Sequence, residues 1–173
     1  NLPQVEVAQI DLSLEVDRFD QSLNQFAESG LNQDELKQLR ANFPQFLPLF
    51  IQGAIRVAGP NDSITALGLS QFVTDKNIRL LADTVQLKFS DFSEIEQELT
   101  DGFKRYHHYF PDAVIPKIVT FYSGFNYAQM ADDSLLAIGL DMYLGANSSY
   151  YPKLGFPQYR FRNMDAEQIP VDA

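Results

Sequence analysis

Two stretches in the last third of the chain have the two-residue periodicity of β-strands, and they constrain the fold most tightly. Residues 118–122 are all β-branched or aromatic. Residues 136–144 alternate Leu, Ile, Leu, Met and Leu with Ala, Gly, Asp and Tyr. Such alternation is typical of a strand with one face against a core. We therefore predict two strands whose connecting loop and ends are rich in Tyr, Asn, Gly and Asp.

A third alternating stretch lies near the start of the chain. Between residues 8 and 17, apolar side chains occupy the even positions and polar side chains the odd ones. The pattern predicts a strand over 8–16 with its even positions buried. We expect this strand to pair with the strand over 136–144, because both have a long apolar face.

Helical spacing of apolar residues fills the region between these strands. Asn32 and Glu35 have the spacing of a capping box, and so do Ser93 and Glu96. The segment 148–162 is rich in Tyr, Pro and Gly and is predicted to be irregular, with a last helix starting near residue 165. The predicted helices span 20–27, 32–43, 46–57, 61–74, 75–88 and 93–110.

This order of elements predicts an α+β fold in which helices pack on one side of a small β-sheet. A chain of 173 residues is long enough for one domain with a real core and too short for two of ordinary size. We therefore expect a single domain over residues 1–173.

Composition disfavours several classes of partner. The net charge of -10 opposes binding to nucleic acid and to anionic lipid. The chain has no Cys, which excludes disulfides, thiolate metal sites and a Cys nucleophile. No apolar run reaches the roughly 18 residues that a membrane-spanning helix needs. We predict a partner that is neither nucleic acid nor the bilayer interior.

No catalytic constellation is recognisable. His107 and His108 are the only histidines, and adjacent helical positions point about 100° apart, so these two cannot easily share a metal. Near the end of a helix, solvated or capping roles suit them better. The motifs H-E-x-x-H, G-x-S-x-G, G-x-G-x-x-G and the P-loop are absent. We predict no catalytic residue, no metal site and no cofactor.

The acidic residues of the strand pair leave two interpretations open. Asp132 and Asp133 could bind a hard cation with Asp141, although Asp-Asp before Ser-Leu is more typical of a turn. Asp141 lies among apolar neighbours, and a buried carboxylate needs a partner. We expect an ion pair with Arg160 or Arg162, with a ligand contact as the alternative.

Tyrosine and asparagine cluster around the strand ends, and such side chains combine contact area with hydrogen bonding at interfaces. We predict one partly exposed aromatic patch that contacts another protein or another part of the same chain. The candidate binding residues are Tyr122, Phe125, Asn126, Tyr127, Asp141, Tyr143, Tyr150, Tyr151 and Tyr159.

Several order-preserving blocks of the chain resemble the gliding-motility lipoprotein GldB family of Bacteroidetes. The most specific blocks read IPKIVTFYSGFNY at 115–127 and IGLDMYLG at 138–145. The helical middle of the chain contributes little to the resemblance. The other matching blocks are residues 16–20, 42–46, 110–112, 150–159 and 162–164.

The resemblance implies an envelope lipoprotein, periplasmic and lipid-anchored, that is linked to gliding and to the associated protein-secretion apparatus. It also implies that residues 1–173 form the N-terminal part of a longer family chain. The family is distantly similar to a zincin-like metallopeptidase family whose H-E-x-x-H lies further downstream, so a zincin-like form of the α+β fold is included in the expectation.

Three functions follow from the residues and the resemblance together. The first is a non-catalytic envelope component that docks on proteins of the motility or secretion complex. The second is part of a zincin-like metallopeptidase whose zinc motif lies beyond residue 173. The third is a module that binds a small ligand or a cell-wall fragment through its aromatic loop.

Overall fold

The centre of the fold is a β-sheet that packs against helices. The computed structural model describes residues 9–173, and in them the sheet has four strands in the order β1-β2-β4-β3. Strand β2 runs parallel to β1 and β4, and β3 runs antiparallel to β4. The strands are β1 (Val16–Arg18), β2 (Lys117–Phe121), β3 (Gln129–Asp132) and β4 (Leu135–Gly139).

The two central strands are covered by other parts of the chain. Every residue of β4 is buried, and so is every residue of β2 after Lys117. Continuous burial of this kind is typical of parallel strands, which sit inside α/β arrangements. The mixed helix-and-sheet fold predicted from the sequence is confirmed.

The first strand is shorter than predicted and pairs differently. Residues 11–15 have no regular secondary structure, and β1 begins only at Val16. Residue 8, the start of the predicted strand, lies outside the described residues. Strand β1 pairs with β2, and both sides of β4 are occupied by β2 and β3. The predicted pairing of 8–16 with 136–144 is therefore wrong.

The inside–outside alternation of this segment is nevertheless correct. Leu12 and Leu14 pack against the core, and Asp11, Ser13 and Glu15 are exposed. An extended segment can bury alternate side chains without a hydrogen-bonded neighbour. The alternation of apolar and polar residues in this segment therefore predicted which side chains are buried, but it did not predict which strand the segment pairs with.

The strand predicted over 136–144 ends early. Strand β4 stops at Gly139, and Leu140–Tyr143 forms a 3-10 turn. All residues of that turn are buried, so the alternation of Leu and Met with Asp and Tyr did not mark an exposed face. The short strand β3 was missed, because its four residues carry little pattern.

The helices agree well with the predicted segments between β1 and β2. The box formed by Asn32 and Glu35 is present. Ser93, in contrast, is the first residue of its helix, and Asp91 Oδ1 accepts its backbone N–H at 3.0 Å, so the predicted second box is wrong. These helices are α1 (Phe19–Asn24), α2 (Gln33–Asn42), α3 (Phe46–Leu49), α4 (Asp62–Thr74), α5 (Lys76–Lys88) and α6 (Ser93–Tyr109).

Two segments have secondary structure that differs from the prediction. The helix predicted over 46–57 changes after α3 into a π-helical turn, Phe50–Ala54. The tail predicted to be irregular contains α7 (Tyr150–Lys153) and α8 (Gln158–Phe161). The last helix predicted from residue 165 is present as a 3-10 turn, Ala166–Gln168, followed by α9 (Ile169–Asp172). No helix in residues 9–173 is long and apolar enough to cross a membrane.

Aromatic side chains fill the space between the first helices and the sheet. The ring of Phe19 lies 4.9 to 5.0 Å from those of Phe43, Phe46 and Phe50, at steep angles. Phe46 also contacts Phe121 at the end of β2. Edge-to-face pairs of this kind add to the stability gained by burial alone.

A buried charged cluster joins β1, α1, α5 and β2. Asp20 is fully buried and receives two hydrogen bonds from Arg18, at 2.9 and 2.8 Å. Gln86 and Thr120 donate to the same carboxylate. Arg18 also donates to the carbonyl oxygen of Phe89 at 2.9 Å. The cluster fixes α5 against the sheet, and α5 in turn forms a wall of the site described below.

Candidate functional site

The loop after β2 is shaped by a buried carboxylate. Gly124 and Phe125 have positive φ angles of 77° and 68°. Asp141 Oδ2 accepts the backbone N–H groups of Ser123 at 3.0 Å and of Phe125 at 2.6 Å. A left-handed conformation costs a non-glycine residue about 1–2 kcal/mol, and these two bonds to an anionic acceptor offset that cost.

Asp141 is held by backbone groups and not by an arginine. No ion pair involves it within the described residues, and Arg160 instead lies 4.9 Å above the ring of Phe156. The predicted pairing with Arg160 or Arg162 is therefore wrong. Burial raises the pKa of Asp141 to about 6, and the hydrogen bonds from the N–H groups of Phe125 and Ser123 oppose that rise.

Asn126 fastens the same loop to the helical layer. Its side-chain amide donates to the carbonyl oxygens of Ser123 at 2.8 Å and of Ala54 at 3.0 Å. The hydroxyl of Ser123 accepts the N–H of Asn126 at 3.2 Å. The polar residues of the SGFN stretch are thus engaged in internal hydrogen bonds that set the position of Phe125.

An open groove runs between α5 and the segment 144–154. Its volume is about 1100 Å³, and Gly124 and Phe125 lie on its inner side. Ile78 and Leu81 of α5 contribute apolar surface, while the loop 145–149 contributes small and polar residues. The groove therefore has an apolar inner wall and a polar rim.

Two aromatic rings form the floor of this groove. The centroids of Phe125 and Tyr150 are 5.4 Å apart. The hydroxyl of Tyr150 lies 3.3 Å from Thr84 Oγ1 and donates to the carbonyl oxygen of Leu80 at 3.3 Å. Tyr150 therefore crosses from α7 to α5 and joins the two walls, so the groove is formed before any partner arrives.

The nine predicted binding residues do not form one continuous exposed patch. Phe125, Tyr150 and Tyr151 come together, with Phe125 and Tyr151 5.8 Å apart. Tyr151 is buried and donates to the backbone oxygen of Asp141 at 3.2 Å. Four of the nine predicted residues have side chains that are completely or almost completely buried: Tyr122, Asp141, Tyr143 and Tyr151.

The remaining predicted residues are accessible to different degrees. Tyr159 is 83% exposed, and Asn126 and Tyr127 are also exposed. Of the nine, only Phe125 and Tyr150 line the groove. A binding role of the predicted set stays a prediction, and its accessible centre is this pair of rings.

Sequence reasoning missed the contribution of α5. The groove is lined by Leu80, Thr84 and Lys88 of this helix. These residues lie beside the buried stripe that includes Leu81 and Val85. Leu80 is 52% exposed, and Leu154 on the opposite wall is 49% exposed. The signal available in the sequence was an apolar side chain, Leu80, outside the buried stripe of α5.

The other candidate groups lie elsewhere. Asp133 and Ser134 form the turn between β3 and β4, as the turn interpretation predicted. His107 and His108 are in the last turn of α6. Within the described residues, no three or more His, Asp or Glu side chains converge in a way that could hold a metal ion.

Comparison with known proteins gives one match. A family profile described as gliding motility protein GldB matches residues 1–173. No curated protein and no solved structure is significantly similar to the chain.

Proposed function

The chain belongs to the gliding motility protein GldB family, and from this premise we propose that it is a docking component of the gliding motility and protein-secretion apparatus. Membership indicates a gliding-motility lipoprotein of the cell envelope. The proposal adds three things to that membership. The protein is periplasmic and lipid-anchored, it acts without catalysis, and it binds other envelope proteins through the groove beside α5.

The preformed groove carries this proposal. Its α5 wall runs from Asn77 to Lys88, which is about 17 Å at 1.5 Å per residue. An extended peptide covers that distance with about five residues. Apolar surface beside a polar rim is what a protein segment with mixed side chains requires.

The rigidity of the floor supports the same conclusion. Phe125 is held by the backbone bonds to Asp141, and Tyr150 is held by its contacts with Thr84 and Leu80. A partner would therefore not have to order these rings on binding, which reduces the entropic cost of association.

A gliding assay with substituted protein tests the proposal. In a gliding bacterium, the full-length gene is replaced by one that carries Leu80→Asp together with Leu154→Asp. Both side chains are about half exposed, so the fold should tolerate the changes while the groove loses apolar surface that these two leucines contribute. We expect gliding to be lost although the protein reaches its usual level in the envelope.

The matched control is Leu87→Asp. Leu87 is on the same helix and 80% exposed, but it does not line the groove. Gliding should be normal with this variant. Normal gliding with the double variant, at unchanged protein level and melting temperature, would refute docking at the groove.

A small-ligand function is the second candidate, because the groove volume of about 1100 Å³ is close to the upper size of small-molecule sites. Thermal-shift measurements with soluble cell-wall fragments test it. Stabilisation that disappears in the Leu80→Asp, Leu154→Asp variant would favour this candidate over protein docking.

A further inference from the structure

The charge of the groove differs in sign from that of the whole chain. The net charge of the chain is -10, whereas among the described residues the charged side chains that line the groove are Lys88, Lys153 and Asp165. Two cations and one anion give the groove a local charge of about +1 at neutral pH. The groove is therefore a cationic site on an acidic protein.

The two lysines are available to a partner. Both are exposed, and neither takes part in an ion pair with another described residue. Asp165 Oδ1 accepts the N–H of Ala146 at 3.2 Å, and its negative charge is already counted in the local charge of the groove. A carboxylate entering the groove would therefore meet cations without an ion-pair partner.

Lys88 reaches from α5 towards the opposite wall. A Cβ atom added at Gly145 would lie 3.5 Å from Lys88 Nζ and 3.0 Å from Asp165 Oδ1. Gly145 has a φ angle of 104°, which a glycine adopts without strain. The absence of a side chain at this position leaves room for the ammonium group at one end of the groove.

We propose that the groove binds an extended, acidic segment of a partner protein. An apolar side chain of that segment packs on Phe125 and Tyr150, and an Asp or Glu pairs with Lys88. Lys153 on the opposite rim favours a second acidic residue. This inference rests on the proposed docking function and names the chemistry of the partner.

Salt dependence alone does not report on this contact. Salt screens the attraction between Lys88 and a carboxylate, but it also screens the repulsion between an acidic segment and a chain of net charge -10. The two effects have opposite signs. Reversal of a single charge separates them, because it changes the local contact much more than the net charge.

The first experiment selects ligands without assuming a sequence. A displayed library of random eight-residue peptides is selected on the full chain and counter-selected on the Leu80→Asp, Leu154→Asp variant. We expect the enriched peptides to be acidic, with apolar residues between the acidic ones. Enrichment of neutral or basic peptides, or of none, would overturn the proposal.

The second experiment reverses the charge at Lys88. We expect Lys88→Glu to weaken binding of a labelled acidic peptide about five- to tenfold, as loss of a charge contact on a partly covered site does. Lys88→Met, which keeps the aliphatic stem, should give a smaller loss. The same peptide with Lys in place of its acidic residues should bind the Lys88→Glu variant better than it binds the unsubstituted chain.

Lys76→Glu is the matched control, since Lys76 is exposed on the same helix and does not line the groove. It should leave the affinity unchanged. Equal affinities for the unsubstituted chain and Lys88→Glu would contradict the proposal. So would a dimer in sedimentation that the Leu80→Asp, Leu154→Asp variant does not form, because a second copy would then be the occupant.

The results also separate this inference from the docking function. If the Leu80→Asp, Leu154→Asp variant does not glide while Lys88→Glu glides normally and selected peptides show no acidic preference, docking stands and the acidic partner is wrong. If acidic peptides bind and respond to Lys88→Glu but both variants glide normally, the groove chemistry is right and its role in motility is wrong.

Discussion

Two fully buried carboxylates, Asp20 and Asp141, are accommodated in opposite ways. Asp20 lies against the guanidinium of Arg18 and receives further hydrogen bonds from Gln86 and Thr120. Within residues 9–173, Asp141 has no cation beside it, and its Oδ2 accepts only backbone N–H groups. The first carboxylate is neutralised by a partner charge, whereas the second is merely solvated by the backbone.

The two carboxylates have different structural roles. Asp20 connects four secondary-structure elements of the scaffold through its hydrogen bonds, so these bonds hold the elements together. Asp141 connects the 3-10 turn, Leu140–Tyr143, to the loop that positions Phe125 in the groove. Its other oxygen, Oδ1, has no hydrogen-bond partner within the described residues. The scaffold carboxylate is saturated and the groove carboxylate is not.

The largest expected effect comes from breaking the saturated cluster. Asp20→Ala leaves the guanidinium of Arg18, whose side chain is only 15% exposed, without its anion. An uncompensated buried charge typically costs about 3–5 kcal/mol. Urea unfolding should show a loss of that size. The partly exposed neighbouring pair of Asp17 and Lys117, 2.6 Å apart, provides the control, because Asp17→Ala should cost about 1 kcal/mol or less.

The second effect depends on pH and belongs to the groove carboxylate. The pKa of Asp141 rises from 3.8 to about 6 in the folded chain. The folded state therefore binds this proton more tightly than the unfolded state does, and stability from this group is lost as the pH rises from about 4 to 6. The shift corresponds to a loss of up to about 3 kcal/mol.

Asp141→Asn isolates that contribution, because the amide cannot ionise while its oxygen can still accept the two N–H bonds. The stability difference between the unsubstituted chain and the variant should move in favour of Asn between pH 4 and pH 7.5. Unfolding at several pH values measures it. A difference that does not depend on pH would mean that Asp141 ionises in the folded chain as easily as in the unfolded one.

The two carboxylates also show what the sequence could and could not predict. The capping box of Asn32 and Glu35 was predictable, because all its atoms lie within four consecutive residues. The partners of Asp141 were not, since they are backbone N–H groups presented by the left-handed conformation of Gly124 and Phe125. The partners expected from the sequence were Arg160 and Arg162, and the choice between an arginine and the backbone depends on tertiary geometry.

Strand pairing and the groove could not be predicted from the sequence, because both depend on how distant parts of the chain pack together. The alternation in 11–15 reported which side chains are buried, but it contained nothing on whether β1 would lie beside β2 or β4. The groove lies between α5 and the segment 144–154, which are more than fifty residues apart in the chain. The predicted aromatic residues Phe125 and Tyr150 line the groove. The place of Lys88 in the groove could not be predicted, because it depends on where α5 packs.

A third, smaller effect should follow from straining the loop at the groove carboxylate. Gly124 has a φ of 77°, and a Cβ there would lie 3.3 Å from Ile78 Cδ1. We expect Gly124→Ala to cost about 1–2 kcal/mol. Gly102→Ala is the matched control, because a Cβ at this position in α6 meets no atom of the described residues within 4 Å. This control should stabilise the chain by about 0.5–1 kcal/mol, and a loss similar to that of Gly124→Ala would contradict the argument from φ.

The smallest effect on stability should come from Tyr150→Phe. This change removes the hydroxyl contacts to Thr84 Oγ1 and the Leu80 carbonyl, which are both long at 3.3 Å, and keeps the ring beside Phe125. Hydrogen bonds of this length near the surface contribute about 0.5–1 kcal/mol at most. Thermal unfolding should therefore change little, because the Asp20 cluster, and not Tyr150, fixes α5 to the sheet. If Tyr150→Phe destabilises the chain as much as Asp20→Ala does, the contact between α7 and α5 is itself part of the scaffold, and the Asp20 cluster does not hold α5 alone.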